Sequence, residues 1–346
     1  MPGPLVALTQ GDPAGIGPEI LLRCLAAERA AHAGGRFVPL LVAERAALEA
    51  VRALVPEFRW DDLVELTTVD RTALERLDGR VALLDPVASR RTIELGRSGP
   101  ADAGGAMAAL DAAIALARAG QVDALVTAPV SKESIARHVH PGFVGHTDHL
   151  AAACGLERYG RDYLMAFLAP RLQVALLSVH EPLREAVAAI TTDGVVAALR
   201  CLHRHAGGRI ALAGLNPHAG EGGLLGTEEQ ELLAPAIVRV RADGVDAVGP
   251  ESADSLFARA ARDEFDWVLA LYHDQGLIAV KTASFGLATN WTLGLPFLRT
   301  SVDHGTAFGL AGSGRADAGP LSAVLETTLD LLTGRLPRRR SASGPP

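Results

Sequence analysis

The sequence predicts an α/β fold with a doubly wound, mostly parallel sheet, and three observations support this prediction. Short apolar runs alternate with segments of helical periodicity along most of the 346 residues. The chain is 49% apolar and 21% charged, which suits a large core and, at ~150 residues per domain, about two domains. Polar motifs directly follow the predicted strands, where ligands bind in open α/β sheets.

Eight apolar runs bounded by turn residues predict buried strands. They are 5–9, 37–43, 81–84, 124–127, 163–168, 172–179, 210–215 and 267–272. Six segments have helical periodicity: 18–31, 44–54, 104–119, 194–205, 227–242 and 321–332. We expect Pro235 to kink or split the segment 227–242, because proline has no amide hydrogen and clashes inside a regular helix.

The composition argues against several classes of protein. With 33 basic and 40 acidic residues the net charge is −7, so the chain has no general attraction to nucleic acid or acidic lipid. The apolar run at the N-terminus stops at Gln10, too early for a signal peptide, and no stretch approaches the ~18 apolar residues of a membrane span. Three scattered cysteines, Cys24, Cys154 and Cys201, suit a reducing compartment. We expect a cytoplasmic protein that binds neither membrane nor nucleic acid.

Lysine is rare in this chain. Only Lys132 and Lys281 are lysines among the 33 basic residues, and the other 31 are arginines. A primary ammonium is a compact charge with a tunable pKa, unlike a guanidinium. The scarcity therefore indicates that these two amines have specific roles, although a surface lysine kept by chance is the alternative for each.

Histidines provide a candidate metal site. His180, His218 and His273 each follow a separate predicted strand, so a doubly wound sheet can bring their imidazoles to one edge. Three imidazoles suit a divalent metal and leave positions open for substrate oxygens. The alternative is that each is an isolated loop or cap residue.

A second pair of histidines competes with these three. His146 and His149 lie three residues apart in Gly-His-Thr-Asp-His, at the start of a possible helix, and can also chelate. Thr147 or Asp148 as the helix N-cap would explain part of this string without a metal.

The glycine-rich segments do not match common nucleotide motifs. Residues 11–17 lack the GxGxxG spacing, and neither a Walker pattern nor a GxSxG elbow is present. Residues 220–226 enter a helical pattern at Thr227-Glu228-Glu229, where the acidic groups oppose an anion. We therefore predict a mobile loop or a capped helix start there, rather than a phosphate site.

The stretch 273–306 is the densest in polar groups suited to a site. Lys281 and Arg299 can neutralise a phosphate or carboxylate. A structural ion pair is the alternative for either. The polar residues of this stretch that suit a site are His273, Asp274, Lys281, Asn290, Arg299, Asp303, His304 and Thr306.

Seven motifs, in order along nearly the whole chain, resemble those of the 4-hydroxythreonine-4-phosphate dehydrogenase family. They are GDPAGIGPEI (11–20), VTAPVSKESI (126–135), GHTDHLA (145–151), NPHAGEGGLLGTEE (216–229), YHDQGLIAVK (272–281), TNWTLGLPFLRTSVDHGTAF (289–308) and AGSGRAD (311–317). The resemblance implies a homodimer of two-domain α/β/α subunits, similar in fold to isocitrate and isopropylmalate dehydrogenases, with the active site in the interdomain cleft.

On this resemblance we expect a cofactor domain of residues 1–130 plus 305–334. Residues 131–304 would form the second domain, with the metal, substrate and dimer contacts, and residues 335–346 a disordered tail. The implied metal ligands are His180, His218 and His273, the last facing the site of the other subunit. The implied substrate contacts are His146, Thr147, Lys281, Asn290 and Arg299, and the implied cofactor contacts are His304, Gly305 and Thr306.

The implied reaction uses NAD or NADP and a divalent metal (zinc, magnesium or cobalt). The substrate, 4-phosphohydroxy-L-threonine, is oxidised at C3 and then decarboxylated to 1-amino-3-hydroxyacetone phosphate on the route to pyridoxal 5'-phosphate. Metal polarisation of the 3-hydroxyl favours loss of its proton as hydride leaves C3. Asp274 or a lysine such as Lys281 is the candidate proton acceptor.

Three departures from the family pattern bear on substrate and coenzyme. Gly309 follows HGTAF where the family commonly has Asp, Trp291 lies beside Asn290, and Pro-Glu-Ser replaces Pro-Leu-Pro at 250–252. A paralogous substrate is therefore the alternative: 4-phospho-D-threonate, 4-phospho-D-erythronate or a cis-dihydrodiol carboxylate. A metal-dependent hydrolase or aldolase, or a non-catalytic binding protein, remains as a competing class.

Overall fold

A computed structural model describes residues 3–32, 35–77, 79–284 and 286–336. Most of the predicted disordered tail, from residue 337 on, lies outside the described residues. The described residues form two compact units. The first contains the residues up to Cys154 and those from Pro296 to Leu336, and the second contains Gly155–Leu295.

The strands of the described residues are, in chain order, β1 (Leu5–Thr9), β2 (Val38–Val42), β3 (Leu63–Leu66), β4 (Val81–Leu84), β5 (Ala124–Thr127), β6 (Leu164–Ala169), β7 (Leu172–Leu176), β8 (Ile210–Ala213), β9 (Ala247–Glu251), β10 (Trp267–Ala270), β11 (Thr289–Leu293) and β12 (Leu298–Ser301). The α-helices are α1 (Gly17–Ala31), α2 (Arg45–Ala50), α3 (Arg71–Glu75), α4 (Pro100–Arg118), α5 (Lys132–His138), α6 (His146–Ala153), α7 (Leu183–Ala188), α8 (Thr192–Ala206), α9 (Ala234–Ala242), α10 (Ala253–Ala260), α11 (His273–Ser284) and α12 (Gly319–Leu332). None of these helices combines the length and the apolar character needed to cross a bilayer.

The first unit contains six parallel strands in the order β3-β4-β2-β1-β5-β12. Strand β1 is buried along its whole length, so both faces of this sheet are covered. Helices α1 and α12 pack together in one core with Leu8, Leu41 and Val126 of the sheet. Helix α4 packs on β1, β2 and β5. Because the six strands are parallel, their carboxyl ends lie at the same edge of the sheet.

The second unit contains strands in the order β11-β6-β7-β10-β8-β9. The strands from β7 to β9 are parallel, whereas β6 is antiparallel to both β7 and β11. The connection from β6 to β7 has only two residues, Pro170 and Arg171, which permits a hairpin but not a parallel crossover. The α/β prediction is confirmed, and this hairpin and β11 are the departures from a parallel sheet.

All eight predicted strands exist, with ends shifted by a few residues at most, and four others were missed. Strands β11 and β12 were missed because buried polar residues such as Thr289 and Arg299 interrupt their apolar character. Strand β9 contains Gly249 and Pro250, which argue against a strand. All six predicted helical segments contain helix, and the one at 227–242 is split into a π-turn (Glu229–Leu233) and α9, with Pro235 in the first turn of α9.

The two compact units divide the chain at different residues from the predicted domains. Residues 131–154 and 296–304, which we expected in the second domain, group with the first unit. Residues 296–304 group with the first unit because β12 pairs with β5 in parallel, with Leu298 opposite Ala124. The assignment of cofactor and metal binding to separate domains stays a prediction.

Candidate active site

The three predicted metal-binding histidines follow neighbouring strands of the second unit. His180, His218 and His273 come after β7, β8 and β10, which lie side by side in the order β7-β10-β8 and run parallel. The ring centroids of His180 and His273 are 5.5 Å apart. Among the described residues, however, no group of three or more His, Cys, Asp or Glu side chains is placed to hold a metal ion. The structure therefore brings two of the three imidazoles together, and the metal site stays a prediction.

Hydrogen bonds from two side chains tie the ends of these strands to each other. Gln275 accepts a bond from the backbone N–H of Leu271 after β10 (2.7 Å) and donates one to the carbonyl oxygen of Gly214 after β8 (2.8 Å). The hydroxyl of Ser178, after β7, donates to the carbonyl oxygen of Leu271 (3.1 Å). These contacts fix the spacing of the loops that carry the histidines. Neither residue was predicted from the sequence, because Gly214 lies 61 positions from Gln275 and Leu271 lies 93 positions from Ser178.

Asp274, the predicted proton acceptor, contacts a histidine. Its Oδ1 lies 2.7 Å from Nδ1 of His273, at the start of α11. A carboxylate on one ring nitrogen orients the imidazole and leaves the other nitrogen to act as a ligand. This contact gives Asp274 an orienting role, and its role in proton transfer stays a prediction.

His218 lies in a left-handed turn. From His218 to Gly222 five successive residues have positive φ, including the non-glycine residues His218 (53°), Ala219 (50°) and Glu221 (44°). A left-handed helical conformation costs roughly 1–2 kcal/mol for each residue with a Cβ. We call Pro217–Gly223 the His218 turn. Such a strained segment persists only where its surroundings hold it in place.

A buried carboxylate holds the base of the His218 turn. Glu229 Oε1 accepts hydrogen bonds from the backbone N–H groups of Leu215 (2.8 Å) and Asn216 (2.7 Å), and Oε2 accepts one from the Asn216 side-chain amide (2.9 Å). Burial alone would raise the pKa of Glu229, but the bonds from Asn216 and Leu215 hold the pKa below its usual value. Glu229 therefore holds the base of the segment predicted as a mobile loop or a capped helix start, and the mobility of that segment stays a prediction.

The first unit gathers basic groups at the ends of β5 and β12. Arg299 on β12 is 1% exposed and donates to the Thr127 hydroxyl (2.7 Å), and burial lowers the pKa of its guanidinium to about 9. His146 begins α6, and its Nε2 is buried without a hydrogen-bond partner among the described residues. The pKa of His146 is held well below 6.5 by burial and by the positive charges of Arg299 and Lys132. We call Lys132, His146 and Arg299 the basic cluster.

The rival chelating pair does not assemble as a metal site. Nε2 of His149 lies 2.6 Å from Oδ1 of Asp111, so this ring has a carboxylate partner. The predicted N-cap at Thr147 or Asp148 is wrong, because α6 begins at His146 and Gly145, in an extended conformation, is its N-cap. Thr147 is buried in the first turn of α6.

The predicted cofactor segment packs against the first glycine-rich loop. The carbonyl oxygen of Thr306 accepts a hydrogen bond from the Ile16 N–H (3.1 Å), and a Cβ at Gly15 would lie 3.0 Å from that oxygen. His304 Nδ1 donates to the carbonyl oxygen of Gly305 (3.0 Å). Cofactor binding by His304, Gly305 and Thr306 stays a prediction.

Asp12 organises this loop from within. It is completely buried and accepts hydrogen bonds from the Ala14 N–H (3.0 Å) and the Ser98 hydroxyl (2.7 Å), while burial raises its pKa. Neither Asp12 nor Ser98 was predicted from the sequence as a site residue.

Lys281 and Asn290 lie in the second unit, on α11 and β11. Oδ1 of Asn290 is buried and has no hydrogen-bond partner within the described part of the chain. The Trp291 ring packs near Trp267, with ring centroids 6.3 Å apart. Because neighbouring residues of a strand point to opposite faces, Trp291 is directed away from the Asn290 side chain.

Histidines that follow parallel strands, together with a buried arginine, are typical of an α/β enzyme. A family model described as pyridoxal phosphate biosynthetic protein PdxA matches residues 36–328. The chain belongs to this family, which confirms the resemblance seen in the sequence.

The curated relatives match over nearly their whole length. The chain is 43% identical to 4-hydroxythreonine-4-phosphate dehydrogenase of Acidithiobacillus ferrooxidans (strain ATCC 53993 / BNL-5-31), covering 96% of this chain and 97% of the relative. It is 40% identical to the enzyme of the same name from Neisseria meningitidis serogroup A, covering 97% and 100%.

Solved structures share the fold. A crystal structure of 4-hydroxythreonine-4-phosphate dehydrogenase from Klebsiella pneumoniae aligns with a TM-score of 0.83 at 32% identity, covering 95% of this chain and 100% of that one. A terephthalate 1,2-cis-dihydrodioldehydrogenase from Burkholderia xenovorans LB400 aligns with a TM-score of 0.62 at 27% identity, covering 96% and 99%.

Proposed function

We propose that this chain is an NAD(P)-dependent dehydrogenase of pyridoxal 5'-phosphate biosynthesis. It oxidises 4-phosphohydroxy-L-threonine at C3, and decarboxylation then gives 1-amino-3-hydroxyacetone phosphate. The observation that carries this proposal is a 43% identity across nearly the whole chain to a relative named for this activity. Three free cysteines suit a reducing compartment, and we place the enzyme in the cytoplasm.

The proposed metal ligands are His180, His218 and His273. Three imidazoles fit a divalent ion by donor type, and they favour zinc or cobalt over magnesium, which prefers oxygen ligands. When bound, the metal polarises the substrate hydroxyl and stabilises negative charge during decarboxylation. We expect His218→Ala to lose both metal content and turnover while the protein stays folded.

The remaining proposed roles belong to residues of both units. His146, Thr147 and Arg299 of the first unit and Lys281 and Asn290 of the second bind the substrate. His304, Gly305 and Thr306 bind the nicotinamide cofactor. Lys281 or Asp274 accepts the hydroxyl proton, and Lys281→Arg is expected to lower activity because a guanidinium cannot take up that proton.

We also propose a homodimer whose sites are shared, with His273 supplied to the partner's site. The test uses two inactive variants, His180→Ala and His273→Ala, unfolded together and refolded as a mixture. In a shared site, a mixed dimer contains one site with all three histidines, so activity returns. If the mixture stays inactive although mixed dimers form, each site is complete within one chain.

Reduction of the nicotinamide at 340 nm tests the substrate, using NAD and NADP, zinc or cobalt, and a panel of compounds. The panel contains 4-phosphohydroxy-L-threonine, 4-phospho-D-threonate, 4-phospho-D-erythronate and a carboxylated cis-dihydrodiol. The highest kcat/KM for the first compound would support the proposal. The structural similarity to a dihydrodiol dehydrogenase makes the last compound the main competitor, and its preference would identify a paralogue.

A further inference from the structure

Lys132 lies against the start of a neighbouring helix. It is the first residue of α5, after the N-cap Ser131, whose hydroxyl accepts a hydrogen bond from the Ser134 N–H (3.2 Å). A Cβ built on Gly145 would lie 3.2 Å from Cε and 3.4 Å from Nζ of Lys132. Gly145 is the N-cap of α6, so the ammonium lies at the N-terminal end of that helix.

Positive charge accumulates at this point. The N-terminal end of α6 carries a partial positive charge, Gly145 offers no side-chain oxygen to cap it, and Asp148 is the one acidic residue of the first turn. His146, in the first turn, has a buried Nε2 without a hydrogen-bond partner among the described residues, and both Arg299 and Lys132 act on this ring. Arg299 itself is buried. Like charges collected in this way repel one another, so the arrangement is stabilised when an anion binds.

The geometry favours an anion with two charges and several acceptor oxygens. The donors come from three different elements: the ammonium from α5, the N–H groups and imidazole from α6, and the guanidinium from β12. A tetrahedral phosphate monoester accepts hydrogen bonds in several directions, whereas a carboxylate has two oxygens in one plane. The whole chain is acidic, with a net charge of −7, so this attraction is local.

We propose that Lys132 is a substrate-binding residue that completes a subsite for the substrate phosphate with His146, Arg299 and the N-terminal end of α6. The phosphate substrate rests on the proposed function, but the anion subsite is tested independently of it. A lysine fits better than an arginine, because its narrow alkyl chain passes close to Gly145, where a planar guanidinium is bulkier. This role also explains why Lys132 is one of only two lysines.

The test compares Lys132→Ala and Lys132→Arg with a matched control on the same helix. Arg137→Ala removes an exposed cation of α5 that pairs with Glu133 (2.7 Å). Binding of inorganic phosphate to the metal-loaded protein is measured by calorimetry, and kcat and KM are measured with 4-phosphohydroxy-L-threonine and with unphosphorylated 4-hydroxythreonine.

We expect Lys132→Ala to weaken phosphate binding and to lower kcat/KM for the phosphorylated substrate by about 10- to 100-fold, as for loss of a charged hydrogen bond. The kcat/KM for 4-hydroxythreonine should change by less than about twofold, because this compound has no phosphate to contact Lys132. Lys132→Arg should restore only part of the loss, and Arg137→Ala should resemble the wild type.

Unchanged phosphate affinity in Lys132→Ala would overturn the proposal. A fall in kcat that is equal for the two substrates would also overturn it, since Lys132 would then act in the chemical step rather than on the phosphate. A third outcome separates the two proposals: the wild type binds phosphate but does not oxidise the phosphorylated substrate, and Lys132→Ala no longer binds phosphate. The proposed function then fails and the anion subsite stands.

Discussion

The His218 turn and the basic cluster differ in the interactions that stabilise them. In the turn, strained backbone is held by Glu229, whose carboxylate is fully used in hydrogen bonds within the protein. In the basic cluster, Lys132 and Arg299 bring positive charge to a histidine whose Nε2 has no hydrogen-bond partner in the described chain. The first region owes its shape to internal contacts, whereas in the second we propose that a bound anion balances the positive charge. The free energy of unfolding should therefore change strongly when residues that hold the His218 turn are substituted, and weakly when Lys132 of the basic cluster is substituted.

The largest effect is expected for Glu229→Ala. This change leaves the N–H groups of Leu215 and Asn216 without their acceptor, and we expect the free energy of unfolding to fall by about 3–5 kcal/mol. Urea denaturation measures this loss. Glu231→Ala, an exposed carboxylate of the same π-turn, is the control, with an expected change within about 0.5 kcal/mol. Equal effects of the two variants would show that Glu229 does not hold the turn.

The next effect is a dependence of stability on pH through His146. Its pKa is lower in the folded protein than the usual 6.5, so as the pH falls the unfolded chain binds the proton first. The contribution of His146 to the free energy of unfolding is therefore at its full value above pH 6.5. Below that pH it falls, by up to about 1.4 kcal/mol per pH unit.

Urea denaturation between pH 7.5 and 5.5 tests this slope. His146→Gln should flatten it, and His138→Gln, on the exposed end of α5, should not. Saturating phosphate should also reduce the slope, because an anion in the basic cluster favours the protonated imidazole. A slope unchanged by His146→Gln would contradict the assignment.

A smaller effect of opposite sign is expected for Glu221→Gly. Glu221 is exposed and has φ of 44°, a conformation that glycine adopts without a steric penalty. We expect a gain of about 1 kcal/mol in the free energy of unfolding. Ala115→Gly, at an exposed position within α4, is the matched control and should lose about 1 kcal/mol. Thermal unfolding of both variants gives the comparison, and a loss in Glu221→Gly would mean that its side chain stabilises the turn.

The smallest effect is expected for Lys132→Gln in the absence of ligand. The side chain is exposed and lies at the positive end of α6, so its removal should leave the free energy of unfolding within about 0.5 kcal/mol of the wild type. The stabilisation that phosphate gives the wild type should be largely lost in this variant. A large loss of stability without phosphate would place Lys132 with Glu229, among residues that hold the fold.

The sequence was informative where physical signals are local. Apolar runs located β1, β4 and β5 within the first unit to the residue, because a buried strand needs only its own side chains to be recognised. Strand β12 was missed because it carries a buried Arg299 and two hydroxyl residues.

The site was predicted unevenly for the same reason. Histidines after strands and the rarity of lysine singled out His218 and Lys132. Glu229 and Gln275, which hold the backbone near His218, bond to backbone groups at Asn216 and Gly214 that lie 13 and 61 positions away, and a single sequence does not show such contacts. The left-handed turn was also hidden, because three of its six positive-φ residues are not glycine.

Gln275 has a consequence for how this enzyme fold diversifies. Its side-chain amide joins the backbone just after β8 to the backbone just after β10. Substitutions in the segments that follow these strand ends can therefore accumulate without altering the distance between the two ends. A change of substrate then requires only new side chains, while the spacing of the two strand ends stays the same.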